Sequence, residues 1–285
     1  MTYATHRYRS SCGRLDLHAR DYGGDGPPIL LMHGLTRNSA DFAPLATHLA
    51  SDYRLIVPDQ RGRGLSGFDP DPTNYRPPVY AADMFALLAE LKIERAALIG
   101  TSMGGLIAML MQAMKPETIG PVVLNDVGPV LEAEGLSRIA GYVGGSATMA
   151  NWNEACEAVA SINGYAFPDA TDKDWMAFAR RVCREREDGA IKFAYDPAIA
   201  EGFAEVEGEA QPDLWPLWEK MADTPVLVVR GALSDLFSTA TLRQMEERHA
   251  GPFSSVEVPR VGHAPVLDEP EAVKAILTFL GEYWS

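Results

Sequence analysis

The chain has 285 residues, 47% of them hydrophobic, enough to bury the core of one large domain. Its 25 basic and 39 acidic residues leave a formal charge of −14, a balance that repels nucleic acid and anionic membrane surfaces. Three widely spaced cysteines, Cys12, Cys156 and Cys183, fit neither a disulfide framework nor a metal set, and no apolar run is long enough to span a bilayer. The polar start MTYATHRYRSSCGRLDLHAR lacks an apolar signal segment, so a soluble, cytoplasmic protein with free thiols is expected.

HRYRS and RLDLHARD alternate in polarity about SCG and predict an N-terminal hairpin. The apolar runs PPILLMHG, YRLIVPD, RAALIGTS and PVVLND predict strands, and SADFAPLATHLA, VYAADMFALLAELK and MGGLIAMLMQAM predict the helices between them. Strands that are apolar throughout, alternating with helices, predict a parallel sheet covered on both faces. From Gly128 to Ala222 no apolar strand run of that kind occurs, and NWNEACEAVASI and DWMAFARRVCRERED read as helices. This segment holds four of the five tryptophans and 17 acids against 8 bases. The charge reads as a solvated helical surface, or more sharply as weak steering of anionic substrates away from that face. PVLVVRG, TATLRQMEERH, SSVEVPR and EPEAVKAILTFLGEYW then resume the alternation, with Asp268 and Glu271 expected to cap the last helix. The expected organisation is a core of residues 1–127 and 223–285, interrupted by a helical cap, 128–222. The cap would lie over the carboxyl ends of the strands, where open sheets bind ligands.

Gly100-Thr101-Ser102-Met103-Gly104 fits G-x-S-x-G between a strand and a helix, the context of a nucleophile elbow. Such a turn holds the Ser102 hydroxyl above the sheet, and the glycines let strand and helix approach closely. Met103 opens the helix with an unpaired N–H, which together with the N–H of Leu35, after the turn at Gly34, is expected to hold an oxyanion. A serine needs a base. Of six histidines, His263 in RVGHAP lies between the last strand and the last helix, on the sheet edge of Ser102. His33 also ends a strand, His6 and His18 belong to the hairpin, and His48 and His249 read as surface or packing residues on helices. The base needs a carboxylate. Asp235 and Asp126 both follow strands and both satisfy the order Ser…Asp…His; Asp235 is preferred, with Asp126 the alternative.

Gly62-Arg63-Gly64-Leu65-Ser66-Gly67 matches G-x-G-x-x-G, but a dinucleotide site needs a helix opening at the last glycine. FDPDPTNYRPP follows, and with prolines at 70, 72, 77 and 78 no helix is expected to start there. No His/Cys/Asp cluster has metal-ligand spacing; His33 with Asp59 or Asp235 is the residual alternative.

On HGLTRNSADF, DQRGRGLSG, GTSMGG, RGALSD and GHAP the sequence resembles the α/β-hydrolase superfamily, over nearly the whole chain except the insertion. The resemblance implies a mostly parallel eight-stranded sheet with helices on both faces, a helical cap inserted after the sixth strand, a triad and no cofactor. It also implies that Asp59 to Ser66 is mainly a structural loop beside the pocket. Haloalkane dehalogenases and epoxide hydrolases carry Asp at the elbow; Ser102 argues against both chemistries. The expected function is hydrolysis of a small carboxylic ester or lactone by Ser102, His263 and Asp235. The alternatives are a carbon–carbon bond hydrolase of ring-cleavage diketones and a hydrolase-fold ligand receptor with slow turnover. The partner is a small-molecule substrate, not nucleic acid or membrane, and the oligomeric state is left open. Eleven insertion aromatics, Tyr142, Trp152, Tyr165, Phe167, Trp175, Phe178, Phe193, Tyr195, Phe203, Trp215 and Trp218, are expected to be mostly lid core, some lining an apolar or aromatic acyl pocket. Arg180, Arg181 and Arg184 read as a solvated helix face; in carbon–carbon hydrolases a lid arginine can hold a substrate carboxylate.

Overall fold

The computed structural model describes residues 1–202 and 212–285; Phe203 lies outside them. The N-terminal hairpin pairs β1 (Ala4–Arg9) with β2 (Asp16–Asp21) antiparallel. There follow β3 (Pro28–Met32), α1 (Ala43–Leu49), β4 (Arg54–Asp59), α2 (Pro77–Glu90), β5 (Ala96–Thr101), α3 (Met103–Met114) and β6 (Ile119–Asn125). Next come α4 (Ala133–Ala140), α5 (Trp152–Asn163), α6 (Asp172–Val182), the hairpin of β7 (Cys183–Glu185) and β8 (Ile191–Phe193), and α7 (Trp215–Glu219). The chain closes with β9 (Val226–Gly231), α8 (Thr239–Glu247), β10 (Phe253–Val258) and α9 (Pro270–Tyr283).

Eight strands form one sheet in the order β1-β2-β4-β3-β5-β6-β9-β10. Only β2 and its two neighbours pair antiparallel; the other pairs are parallel. Successive residues of each strand point to opposite faces. Leu30, Leu98 and Val122 therefore meet Met84, Leu87 and Ile107 of α2 and α3, whereas Ile29, Ile99 and Val123 meet Leu45, Ile276 and Phe279 of α1 and α9. Both faces are covered, which is why these strands read as apolar throughout. The α/β-hydrolase fold expected from the sequence is the fold observed, and α4 to α7 with the β7–β8 hairpin lie between β6 and β9 in the chain. Among the described residues no helix is long and apolar enough to cross a membrane.

Local differences from expectation have identifiable causes. α2 starts at Pro77, inside the stretch where no helix was expected: prolines at the first two positions lack an N–H that would be unbonded there anyway. The helix through DWMAFARRV stops at Val182, and CRE pairs instead with IKF around an Asp188-Gly189 turn in which Gly189 has φ +83°. α9 begins at Pro270, so Glu269 rather than Asp268 takes the cap position; its side chain accepts from Val266 N–H, and no side chain caps the helix. His249 lies just past α8, where Nε2 meets Thr224 O at 2.9 Å beside Trp218. Trp175 and Phe178 pack with Val159 in a separate buried cluster, whereas Trp218 is fully buried in the main core.

Candidate active site

The loops after β3, β5, β6 and β10 meet at one point above the sheet. Ser102, between β5 and α3, has φ +52° and ψ −115°, a strained conformation held by its own N–H to Asn125 O at 2.9 Å. The strand and helix approach so closely that a Cβ on Gly104 would stand 2.0 Å from Met32 O.

His263 bridges two groups. Its Nε2 lies 2.8 Å from Ser102 Oγ and its Nδ1 lies 2.8 Å from Asp126 Oδ2. The imidazole is 7% exposed and the Asp126 carboxylate fully buried. Gly231 N–H donates to Asp126 Oδ1 at 2.8 Å and Ser234 Oγ–H to Oδ2 at 2.6 Å. A carboxylate so placed selects the tautomer with hydrogen on Nδ1 and leaves the Nε2 lone pair for the serine hydroxyl.

The preference for Asp235 is corrected by this geometry. Asp235 faces Arg138 of α4 in a two-pronged ion pair, Nε to Oδ2 at 2.5 Å and Nη2 to Oδ1 at 2.8 Å. Burial alone would raise its pKa, but hydrogen bonding and charge from Arg138 carry it below the usual carboxylate value. The cause lies in the strand order. β6 is next to β5, and Asp126 is the first residue past its end, whereas the loop after β9 turns its Ser234 to Asp126 and its Asp235 away. Arg138, the partner that occupies Asp235, lies 97 residues before it and left no local signal in the sequence.

Leu35 follows Gly34 in the loop after β3, and Met103 is the first residue of α3. The N–H of neither has a protein acceptor among the described residues. The loop of Leu35 is tied from below. His33 Nδ1 donates to Gly34 O at 2.7 Å, and its Nε2 accepts Gln60 N–H at 3.0 Å. Both His33 nitrogens are thereby engaged, which leaves none for the metal alternative with Asp59 or Asp235. Burial pushes its pKa down to about 4. Arg63, fully buried, binds Leu35 O at 2.9 Å and Tyr80 Oη at 2.8 Å. Asp59 accepts from His18 Nδ1, Ser39 N–H and Leu65 N–H; burial raises its pKa, but these bonds win and hold it at about 2. Arg61 bonds to Asp69 and to both oxygens of Asp83. The Asp59–Ser66 loop is thus a buried brace under the site.

Ser102 and His263 open onto a cavity of about 50 Å³ that Leu35, Arg37, Asp41 and Tyr142 also line. A larger depression, about 820 Å³ beside the β7–β8 hairpin, contains none of the groups that meet at Ser102. Arg181 is not on a solvated face: its side chain is largely buried, with Nε 3.9 Å from Asp41 Oδ1, whereas Arg180 is exposed and lies over Trp152.

Residues 29–276 match the alpha/beta hydrolase family. The chain is 36% identical over 269 residues to a 3-hydroxybutyrate-oligomer hydrolase of Cupriavidus necator, covering 90% of this chain and 91% of that protein. It is 31% identical over 273 residues to a 2-(acetamidomethylene)succinate hydrolase of Mesorhizobium japonicum, covering 95% and 94%. A crystal structure of an alpha/beta hydrolase from Novosphingobium aromaticivorans superimposes with a TM-score of 0.91 at 45% identity over 98% of each chain. The chain belongs to the alpha/beta hydrolase family and is an enzyme of the hydrolase class.

Proposed function

We propose that the chain is a serine hydrolase of a small carboxylic ester or lactone, with Ser102, His263 and Asp126 as its triad. The unbroken chain of 2.8 Å contacts from Asp126 through His263 to Ser102 carries this reading. Ser102 Oγ attacks the carbonyl while Nε2 takes its proton; the leaving alcohol receives that proton, and an acyl-serine remains. Water then gives a proton to Nε2 and attacks the acyl carbon, and the proton returns to Ser102 as the acid departs. Asp126 stabilises the imidazolium in both steps. The Leu35 and Met103 N–H groups hold the oxyanion, each contributing on the order of 10²–10³ in rate. Ligand pockets occupy roughly 300–1,000 Å³. The cavity of about 50 Å³ is far smaller, so side chains that line it, Arg37 and Tyr142 among them, must move to admit a substrate.

The test is labelling by a fluorophosphonate and turnover of aryl esters, with Ser102→Ala beside the native protein. The expected result is one adduct on Ser102 by mass spectrometry, and loss of both labelling and turnover in the variant. An adduct on another serine, or full activity in Ser102→Ala, overturns the reading. Labelling without turnover indicates a receptor.

A further inference from the structure

Arg61, Arg63 and Arg138 each form two or more side-chain hydrogen bonds. Arg37 is different. It follows Gly34 by three residues on the loop that supplies Leu35, and it lines both the Ser102 cavity and an adjoining one bounded by Tyr142, Asn163 and Phe178. Its side chain is only 17% exposed, and its guanidinium carbon lies 3.9 Å from the centre of the Phe178 ring. Yet Nη1 is buried without a hydrogen-bond partner, the nearest carboxylate oxygen being Asp41 Oδ1 at 3.6 Å. Arg181 of α6 repeats the pattern, with Nε buried, unpartnered and 3.9 Å from the same oxygen. Two guanidinium groups face one carboxylate, and neither pair closes to hydrogen-bond distance.

A buried charged donor left unmade is costly, and buried polar groups in folded proteins are nearly always satisfied. The planar fork of an arginine matches a carboxylate with two parallel bonds. The other charges at the site are already matched: Asp126 by three donors, Asp235 by Arg138. Burial lowers the pKa of Arg181; of the charges around it Asp41 opposes this, Arg37 reinforces it less strongly, and Asp268 and Asp174 oppose it too. Arg37 lies close to the nucleophile. A Cβ built on Gly34 would stand 3.6 Å from Arg37 Cγ and 3.8 Å from Ser102 Cβ, so the two stems are no further apart than those distances laid end to end.

We propose that the substrate carries a free carboxylate a few bonds from the bond that is cleaved, and that Arg37 grips it. The proposal rests on the serine-hydrolase reading and deepens it. A site built around an unpaired buried donor rejects the neutral analogue, because that analogue leaves the donor unpaired. The carboxylate belongs to the acid half or to the alcohol half of the substrate, and the experiment separates the two.

The experiment compares kcat/KM for isosteric pairs. Monoethyl succinate against ethyl 4-methylpentanoate tests the acid half, and 3-acetoxypropanoate against 3-methylbutyl acetate tests the alcohol half. The expected result is a preference for the charged member of one pair by roughly 10- to 100-fold, the range of a charge-assisted hydrogen bond. In Arg37→Gln that ratio falls to near one, Arg37→Lys restores part of it, and Arg180→Gln on the exposed face leaves it unchanged. A native enzyme without preference in either pair, or a preference that survives in Arg37→Gln, overturns the proposal. Calorimetry of succinate and of 3-hydroxypropanoate binding to Ser102→Ala gives a readout that needs no turnover. Binding that depends on Arg37, in a protein that hydrolyses no ester, sinks the serine-hydrolase reading and leaves the carboxylate grip standing. Binding of neither acid, alongside ester turnover without charge preference, does the reverse.

Discussion

Asp126 Oδ2 accepts a hydrogen bond from His263 and another from Ser234, the residue immediately before Asp235. The loop that carries one aspartate thereby fixes the other against the histidine. Asp126→Asn should lower kcat by about 10⁴, the cost of the same change in serine proteases. Asp235→Asn should cost less than tenfold in kcat while lowering stability, since it breaks the ion pair to Arg138. Aryl-ester kinetics on both variants, with circular dichroism to check folding, decides between them. A more damaging Asp235→Asn would return the acid role to the loop after β9.

His33 links the Leu35 loop to acid stability. Its pKa of about 4 in the folded protein lies below the roughly 6.5 of an exposed histidine. Between those values the unfolded chain binds a proton that the folded chain does not, so stability falls as pH drops through that window. The contribution is on the order of 3 kcal/mol at its acid end. Asp59, held at about 2, acts at lower pH: its contribution is present above the ordinary carboxylate value and lost as pH falls through 2. Urea unfolding of the native protein and His33→Gln at pH 7, 6 and 5 should show a shallower loss in the variant. Parallel losses would remove His33 from the account.

Asp83 accepts two bonds from Arg61 and two from Ser11, joining α2, the Asp59–Ser66 loop and the N-terminal hairpin. Asp83→Ala leaves a buried guanidinium with only Asp69, and should cost about 3–5 kcal/mol. Chemical denaturation reads this directly. A loss below about 1 kcal/mol would show that water or a rearranged Asp69 replaces Asp83.

Gly104→Ala should be worse than an ordinary helix substitution. Its methyl would meet the Met32 carbonyl of the neighbouring strand, and backbone cannot step aside as a flexible side chain can. A loss of about 3 kcal/mol or more, or failure to fold, is expected. A stable, active variant would mean that β3 and α3 are not so closely apposed.

Ser102 was legible in the sequence because a nucleophile elbow is a local object: glycines, strand and helix all lie within a few residues. His263 was placed by the same kind of local argument, a loop between the last strand and the last helix, and the structure brings the two together. Asp126 and Asp235 were not separable in that way, since both end strands and both precede His263. What divides them is the position of β6 beside β5 and the presence of Arg138 near Asp235, and both are facts of tertiary arrangement. The same limit explains Arg181. Helical spacing alone put it with Arg180 on a wet face, and only the packing of α6 onto the loop of Asp41 shows that it is enclosed. The hairpin of β7 and β8 reads in the sequence as the end of a helix, because strands of three residues leave little periodicity to set against helical spacing.

Tyr165 and Ala166 follow α5, and both hold the strand-end loop that carries the base. Tyr165 Oη–H donates to His263 O at 2.7 Å, and Gly262 N–H donates to Ala166 O at 2.7 Å. The cover and the base are therefore latched to each other at two points. Lifting that part of the chain would break both bonds and free the backbone that carries the imidazole.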